Sequence, residues 1–187
     1  MVRSLPSISK GNDGEQKTKR ALENLDFKVI SNTYFVHNRS LCEVDLIAIS
    51  RYGIFVIENK NYDCSVSGES QSLHWQLNYS QGDFCYKLYN PLKQNKKHVN
   101  AVRSVLLEEG FSNLKVYNVV IFNNSCDLGI AHKNVFKLND FVKKYNVWKT
   151  MTRASLSMRE VNKIHGTLRE YRDPTGLIAS VKIALNK

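Results

Sequence analysis

The chain of 187 residues is 42% hydrophobic, which suits one domain with a real core. Its 27 lysines and arginines against 17 aspartates and glutamates give a formal charge of +10, so a polyanionic partner is favoured, either nucleic acid or an acidic membrane surface. No run approaches the roughly 18 apolar residues of a membrane span, the start MVRSLPSISK lacks a signal peptide's apolar stretch, and Cys42, Cys64, Cys85 and Cys126 form no C-x-x-C, which leaves a cytoplasmic reading with free thiols.

Residues 1–10 read as a loose arm, and a first helix is expected to begin near Asn12 or Asp13, whose side chains can cap it. Glu15, Thr18, Leu22 and Leu25 recur at i, i+3, i+7 and i+10 and form one stripe. That puts Glu15 on the core-facing side, while Lys17, Lys19, Arg20 and Glu23 spread around the solvent side. An acid in a first turn is stabilised by the helix dipole, which is the ordinary account of Glu15. A strand around Phe27–Ile30 and an irregular extended piece near Tyr34–His37 follow.

Two apolar runs come next, VDLIAIS (44–50) and GIFVIENK (53–60), separated by Arg51 and Tyr52. Alternate side chains of a strand share a face, so Asp45 goes with Ile47 and Ile49, and Glu58 and Lys60 go with Ile54 and Val56. A two-residue loop pairs 50 with 53, 49 with 54, 47 with 56 and 45 with 58, and sets Asp45 opposite Glu58. A three-residue loop ending in Gly53 would shift the register by one, and Arg-Tyr is not the Asn-Gly or Asp-Gly pair that tight hairpins favour. Facing carboxylates roughly 5 Å apart repel, and a hard divalent cation offsets that repulsion. With a lysine two residues away, the pattern is what metal-dependent hydrolysis of a phosphodiester requires. Both runs are apolar on both faces, as in strands covered on both sides.

Residues 61–89 alternate at Leu73, Trp75, Leu77 and Tyr79 and read as one or two antiparallel strands extending the sheet. Asn90-Pro91 opens a helix to about Glu109, with Leu92, Val99, Val102, Val105 and Leu106 as its buried face. Lys93, Lys96 and Lys97, continued by Arg103, occupy one flank and can reach a phosphate backbone, whereas Gln94 and His98 occupy the other. A strand at 115–123, a short extended piece at 134–137 and a helix carrying Leu138, Phe141, Val142 and Tyr145 follow. Ser157 and Glu160 form a capping box, with Leu156 and Val161 as the matching staple, and Ile164, Leu168 and Tyr171 continue the stripe to Asp173-Pro174. The tail from Gly176 is a candidate last strand. No amphipathic helix with a dense lysine face stands apart from the core, which weighs against a membrane partner.

The order of these parts, G-x-x-G-E (Gly11 to Glu15), VDLIAISRYGIFVIENKNY (44–62), Trp75, NPLKQN (90–95) and VVIFNN (119–124), resembles the nuclease-related domain, NERD, of the PD-(D/E)XK nuclease superfamily. The resemblance implies an α/β (α+β) fold of restriction-endonuclease type: a mixed central sheet with an antiparallel core hairpin, flanked by helices. The match covers residues 11–124, taken as the core domain, with the N-terminal arm at 1–10 before it and a C-terminal helical extension at 125–187 expected to pack on the same domain. The resemblance further implies that Asp45 and Glu58 bind a metal with the Asn59 carbonyl and Glu15, that Lys60 is the catalytic lysine, and that Gln94 is the glutamine of the later helix. Val44 stands where the superfamily name has proline, and Leu46 where the family often has histidine. The expectation is thus a Mg²⁺- or Mn²⁺-dependent nuclease acting on DNA rather than RNA, with Lys93, Lys96, Lys97, Lys17 and Lys19 holding the phosphates. The alternatives are a nucleic-acid-binding module of the same fold that no longer cuts, and a structural domain in which Asp45, Glu58 and Lys60 are a buried ion-pair cluster. A glycosidase ranks last, because its carboxylate pair comes with aromatic platforms rather than a lysine two residues on.

Overall fold

A computed structural model of the chain describes residues 9–37, 40–79 and 85–172. Helix α1 spans Ser9–Glu23 and strands β1, β2 and β3 span Lys28–His37, Ser40–Ser50 and Gly53–Lys60. Strands β4 (Ser65–Ser67), β5 (His74–Asn78) and β6 (Cys85–Tyr89) precede helix α2 (Pro91–Glu108). Then come β7 (Val116–Phe122), β8 (Asp127–Leu128), β9 (Val135–Lys137), α3 (Leu138–Met151), α4 (Met158–Arg169) and a short 3-10 turn, Glu170–Arg172. The expected arm, except for the start of α1, and the candidate last strand lie outside the described residues.

The main sheet has the order β1-β2-β3-β7-β9. The first three strands run antiparallel, and β7 joins β3 in parallel, as does β9 with β7. One face carries Ile47, Ile49, Ile54 and Val56 against Val99 and Val102 of α2 and Val161, Ile164 and Leu168 of α4. The other carries Leu46, Ala48, Phe55 and Ile57 against Leu22 of α1, Leu25 beyond it, and Phe141 and Tyr145 of α3. Coverage on both sides is why β2 and β3 read as unbroken apolar runs. The fold is a mixed α/β domain of restriction-endonuclease type.

The hairpin register is that of the two-residue loop: Ser50 pairs Gly53, Ile49 pairs Ile54 and Ile47 pairs Val56. Gly53 makes this loop feasible without an Asn-Gly pair. It takes φ +138°, and a Cβ there would come within 2.7 Å of the Lys115 carbonyl oxygen, which accepts from the Ile54 N–H.

Three expectations need correction. Helix α1 begins at Ser9, ahead of Asn12 and Asp13, because polar residues that can cap a helix are also tolerated within its early turns. The pieces at 27–30 and 34–37 are one strand, β1, bent by Asn32 at φ 52° without a change of register. The third concerns β4, β5 and β6, which do not extend the main sheet but form a second one with the order β6-β5-β4-β8. Strand β5 is buried only at Trp75 and Leu77, the alternation of a strand with one face in the core and one toward solvent. Its buried side packs on the rest of the domain through Trp75, stacked 6.4 Å from Phe122 of β7.

Helix α2 starts as its sequence signals: the Asn90 side chain accepts from the Leu92 N–H at 2.9 Å, and Pro91 fills the first turn. Asn90 also donates to the Ser70 and Ser72 carbonyls, tying α2 to the small sheet. Deeper in, the Asn95 amide nitrogen contacts the Val56 carbonyl at 2.8 Å, the Asn118 side-chain oxygen at 2.8 Å and the Val119 carbonyl at 3.0 Å, fixing α2 over β3 and β7. Ser157 and Glu160 form the capping box of α4, with Leu156 and Val161 buried beside it.

Candidate active site

Three of the residues singled out above meet at the C-terminal end of β3. Glu58 is 1% exposed, and its Oε1 accepts from Lys60 Nζ at 2.6 Å. Its Oε2 lies 3.3 Å from His98 Nδ1 of α2, close enough for an ion pair though not aligned as a hydrogen bond. Asp45 is half-buried, and its Oδ2 accepts from the Asn59 N–H at 2.8 Å. That bond is possible because strand pairing lapses at Asp45 on both sides. The β2–β3 ladder ends at Leu46–Ile57, and the β1–β2 register passes from Ser31–Leu46 to Thr33–Val44, skipping Asn32 and Asp45.

Charge is unevenly settled among these groups. Burial alone would raise the Glu58 carboxyl, but His98 and Lys60 outweigh it and hold it below the usual range. Burial likewise acts to lower Lys60, and Glu58 more than reverses it. Burial acts to lower His98 as well, yet Cys42 and Glu58 carry it up to about 9. Asp45 lacks such relief. Burial, and then repulsion from Glu58, push it up to about 7, against the Asn59 N–H and Lys60. Glu58 is therefore neutralised by the protein, whereas Asp45 carries charge only at a cost.

Glu15 reaches the same region from α1. It adds to the repulsion on Asp45, its own carboxyl is raised by burial and by Glu43, and its Oε1 is buried without a hydrogen-bond partner. Asn59 is held from two sides, by Asp45 through its N–H and by Thr18, whose hydroxyl donates to its side-chain oxygen at 2.7 Å. Gly14 allows α1 this close, since a Cβ there would lie 2.5 Å from the Asn61 side chain. Gln94 touches the cluster through a long 3.4 Å contact with Lys60 Nζ. A cleft of about 410 Å³ opens beside Lys60, lined by Asn59, Asn61, Asn123, Ser125, Thr18 and Lys17.

The expected phosphate-binding lysines stand on two helices, α1 and α2. Lys17 shares the cleft with Lys60. Lys19 acts on Glu15 instead, lowering its carboxyl against the other influences. Lys93, Lys96 and Lys97 are exposed on α2. Sequence reasoning missed His98 and Thr18 as site residues, although each had a signal: His98 stands one helical turn beyond Gln94, and Thr18 shares the stripe of Glu15.

Among the described residues no group of three or more His, Cys, Asp or Glu side chains is placed to hold a metal ion by itself. That donor set does not fit a closed site made of protein ligands alone. It does fit a hard cation, which binds through one or two carboxylates and keeps several waters. The raised Asp45 and the unpartnered Glu15 oxygen are the groups such an ion would relieve.

A mixed sheet bearing an acid, a second acid and a lysine on neighbouring strands, with a glutamate on the first helix, has the arrangement of the PD-(D/E)XK-like nucleases. The model of the nuclease-related domain family matches residues 10–123, and the chain belongs to that family. The class generally uses divalent metals, and the family's name points to a nucleic-acid substrate. An uncharacterized protein of Bacillus anthracis is 27% identical over 184 residues, covering 83% of this chain and 82% of its own. A crystal structure of a protein of unknown function is similar with 16% identity and a TM-score of 0.37, over 75% of this chain; the chain spans 55% of that protein. Among the described residues no helix is long and apolar enough to cross a membrane.

Proposed function

We propose that this chain is a nuclease that hydrolyses phosphodiester bonds of DNA with a bound Mg²⁺ or Mn²⁺. The observation that carries the reading is Asp45: a carboxylate of β2 pushed up to about 7 at a lapse in strand pairing, beside Glu58, which stands two residues before Lys60 on β3. Asp45 and Glu58 would hold the ion, joined by the Asn59 carbonyl and by Glu15 directly or through water. When bound, the ion supplies a Lewis acid that neutralises charge on the phosphate oxygens.

The protein's own groups do the rest. Lys60, protonated because Glu58 holds it so, places a positive charge where the pentacovalent phosphate builds up negative charge, and orients the attacking water. Gln94 keeps the Lys60 amine turned toward the cleft. His98 holds Glu58 from the opposite side to Lys60 and fixes the carboxylate plane. Lys17 at the cleft, and Lys93, Lys96 and Lys97 on α2, hold the phosphate backbone on either side, with Lys19 supporting α1.

Glu58→Ala is expected to abolish divalent-dependent cleavage of DNA while leaving DNA binding intact. Glu58→Gln keeps the shape in case removing the carboxylate unsettles the fold around Lys60 and His98. Cleavage retained in a folded Glu58 variant would remove this residue from the mechanism. A second reading, a module that binds nucleic acid without cutting it, is favoured by the contacts of Lys60 and His98, which already neutralise Glu58. It predicts salt-sensitive binding that persists in chelator and no cleavage when metal is added.

A further inference from the structure

The small sheet has an outer face that the core does not use. In β5 and β6 every second residue is exposed, and the register sets His74 opposite Tyr89 and Gln76 opposite Lys87. The alternate positions Trp75, Leu77 and Leu88 hold the sheet to the domain, so neither outer ring is needed for packing. The rings of His74 and Tyr89 nevertheless meet edge to face at 6.1 Å, and Lys97 of α2 brings its ammonium 5.9 Å from the Tyr89 ring. Lys93 lies one helical turn before Lys97, on the same side of α2. There is no acid in β5 or β6, and none in α2 before Glu108. Tyr89 is 37% exposed, a tyrosine left in water among cations.

We propose that this face, His74, Gln76, Lys87 and Tyr89 with Lys93 and Lys97 alongside, is a platform for single-stranded nucleic acid. It rests on the reading that the chain acts on nucleic acid, and it names the form of substrate. Exposed rings accept an unpaired base by stacking, which a duplex, with its bases already stacked on each other, cannot offer. Lysines flanking the rings pair with successive phosphates, and Gln76 serves any base edge without selecting one. Gln94, on the other flank of α2 from Lys93, contacts Lys60, so the helix that borders the platform also borders the acid cluster.

The test is fluorescence anisotropy of a labelled oligothymidylate and of a labelled duplex, in chelator, with the whole chain. Tyr89→Ala should weaken single-strand binding about 5- to 150-fold, the range of one lost stacking contact, with a smaller effect on duplex. Tyr89→Phe should bind as the unmodified protein does, because the ring is kept. Lys87→Ala, a second variant on the same face in case Tyr89→Ala does not fold, should lower the slope of log affinity against log salt by about 0.7. Unchanged single-strand binding in both Tyr89→Ala and Lys87→Ala, or equal losses on single strand and duplex, overturns the platform. Metal-dependent cleavage is measured in parallel to separate the two readings. A protein that cuts normally while its platform variants bind normally sinks the platform alone. One that never cuts, yet loses single-strand affinity in Tyr89→Ala, keeps the platform and loses the nuclease.

Discussion

Removing the charge of Asp45 should stabilise the metal-free protein, the reverse of what a buried polar substitution usually does. Burial and Glu58 raise this carboxyl from 3.8 to about 7. Below the ordinary value both folded and unfolded chains carry the proton, and nothing is lost. Between the two values the unfolded chain releases it while the fold keeps it, so stability falls as pH rises, and above about 7 the loss is complete. A displacement of that size corresponds to about 4 kcal/mol, of which solvent at a half-buried carboxylate relieves a part, leaving about 1–3 kcal/mol. Asp45→Asn keeps an oxygen for the Asn59 N–H and turns an amide toward Glu58. In a chain of this size it should raise Tm by roughly 3–10 °C at pH 8 and by little at pH 4. The assay is thermal unfolding of both proteins in chelator across that range, repeated with Mn²⁺. At a hundredfold excess over its dissociation constant the ion should return about 2.7 kcal/mol to the unmodified protein and nothing to Asp45→Asn. A variant that is less stable at pH 8, or a difference that does not grow with pH, would refute the argument that Asp45 is held at a cost.

Gly14→Ala sets helix propensity against packing: alanine should gain about 1 kcal/mol within α1, but its Cβ would overlap the Asn61 side chain, costing about 1–3 kcal/mol. Urea unfolding should show net loss or no gain, and a clear stabilisation would show that α1 does not approach β3 so closely. Asn95→Ala leaves the Val56 and Val119 carbonyls without their side-chain donor beneath α2, and should cost about 2–4 kcal/mol. A loss under 1 kcal/mol in the same urea measurement would argue that water takes over these bonds.

What the sequence made legible follows from how local each signal is. The hairpin and its two-residue register come from a period of two and a short loop, both readable along the chain. The caps of α2 and α4 are equally local. The independence of the small sheet was harder to see, because strand alternation says which side is buried and not which sheet a strand joins. That choice is made by the pairing of β4 with β8, more than 50 residues further along the chain. His98 was overlooked because a histidine on a helix gains meaning only from the carboxylate it meets across the interface. Repulsion between Asp45 and Glu58 could be read from the hairpin, but the burial that is the larger cause of the raised Asp45 carboxyl, and the contribution of Glu15 from α1, depend on elements distant in sequence.

The single bond between Asp45 and the Asn59 peptide makes the backbone of β3 a listener to its own active site. Whatever changes that carboxylate, a proton arriving or a cation taking hold, alters the electron density felt by one amide hydrogen. The Asn59 resonance in a nitrogen–proton spectrum can thus serve as a native probe, following occupancy of the site with no attached reporter group and no substrate.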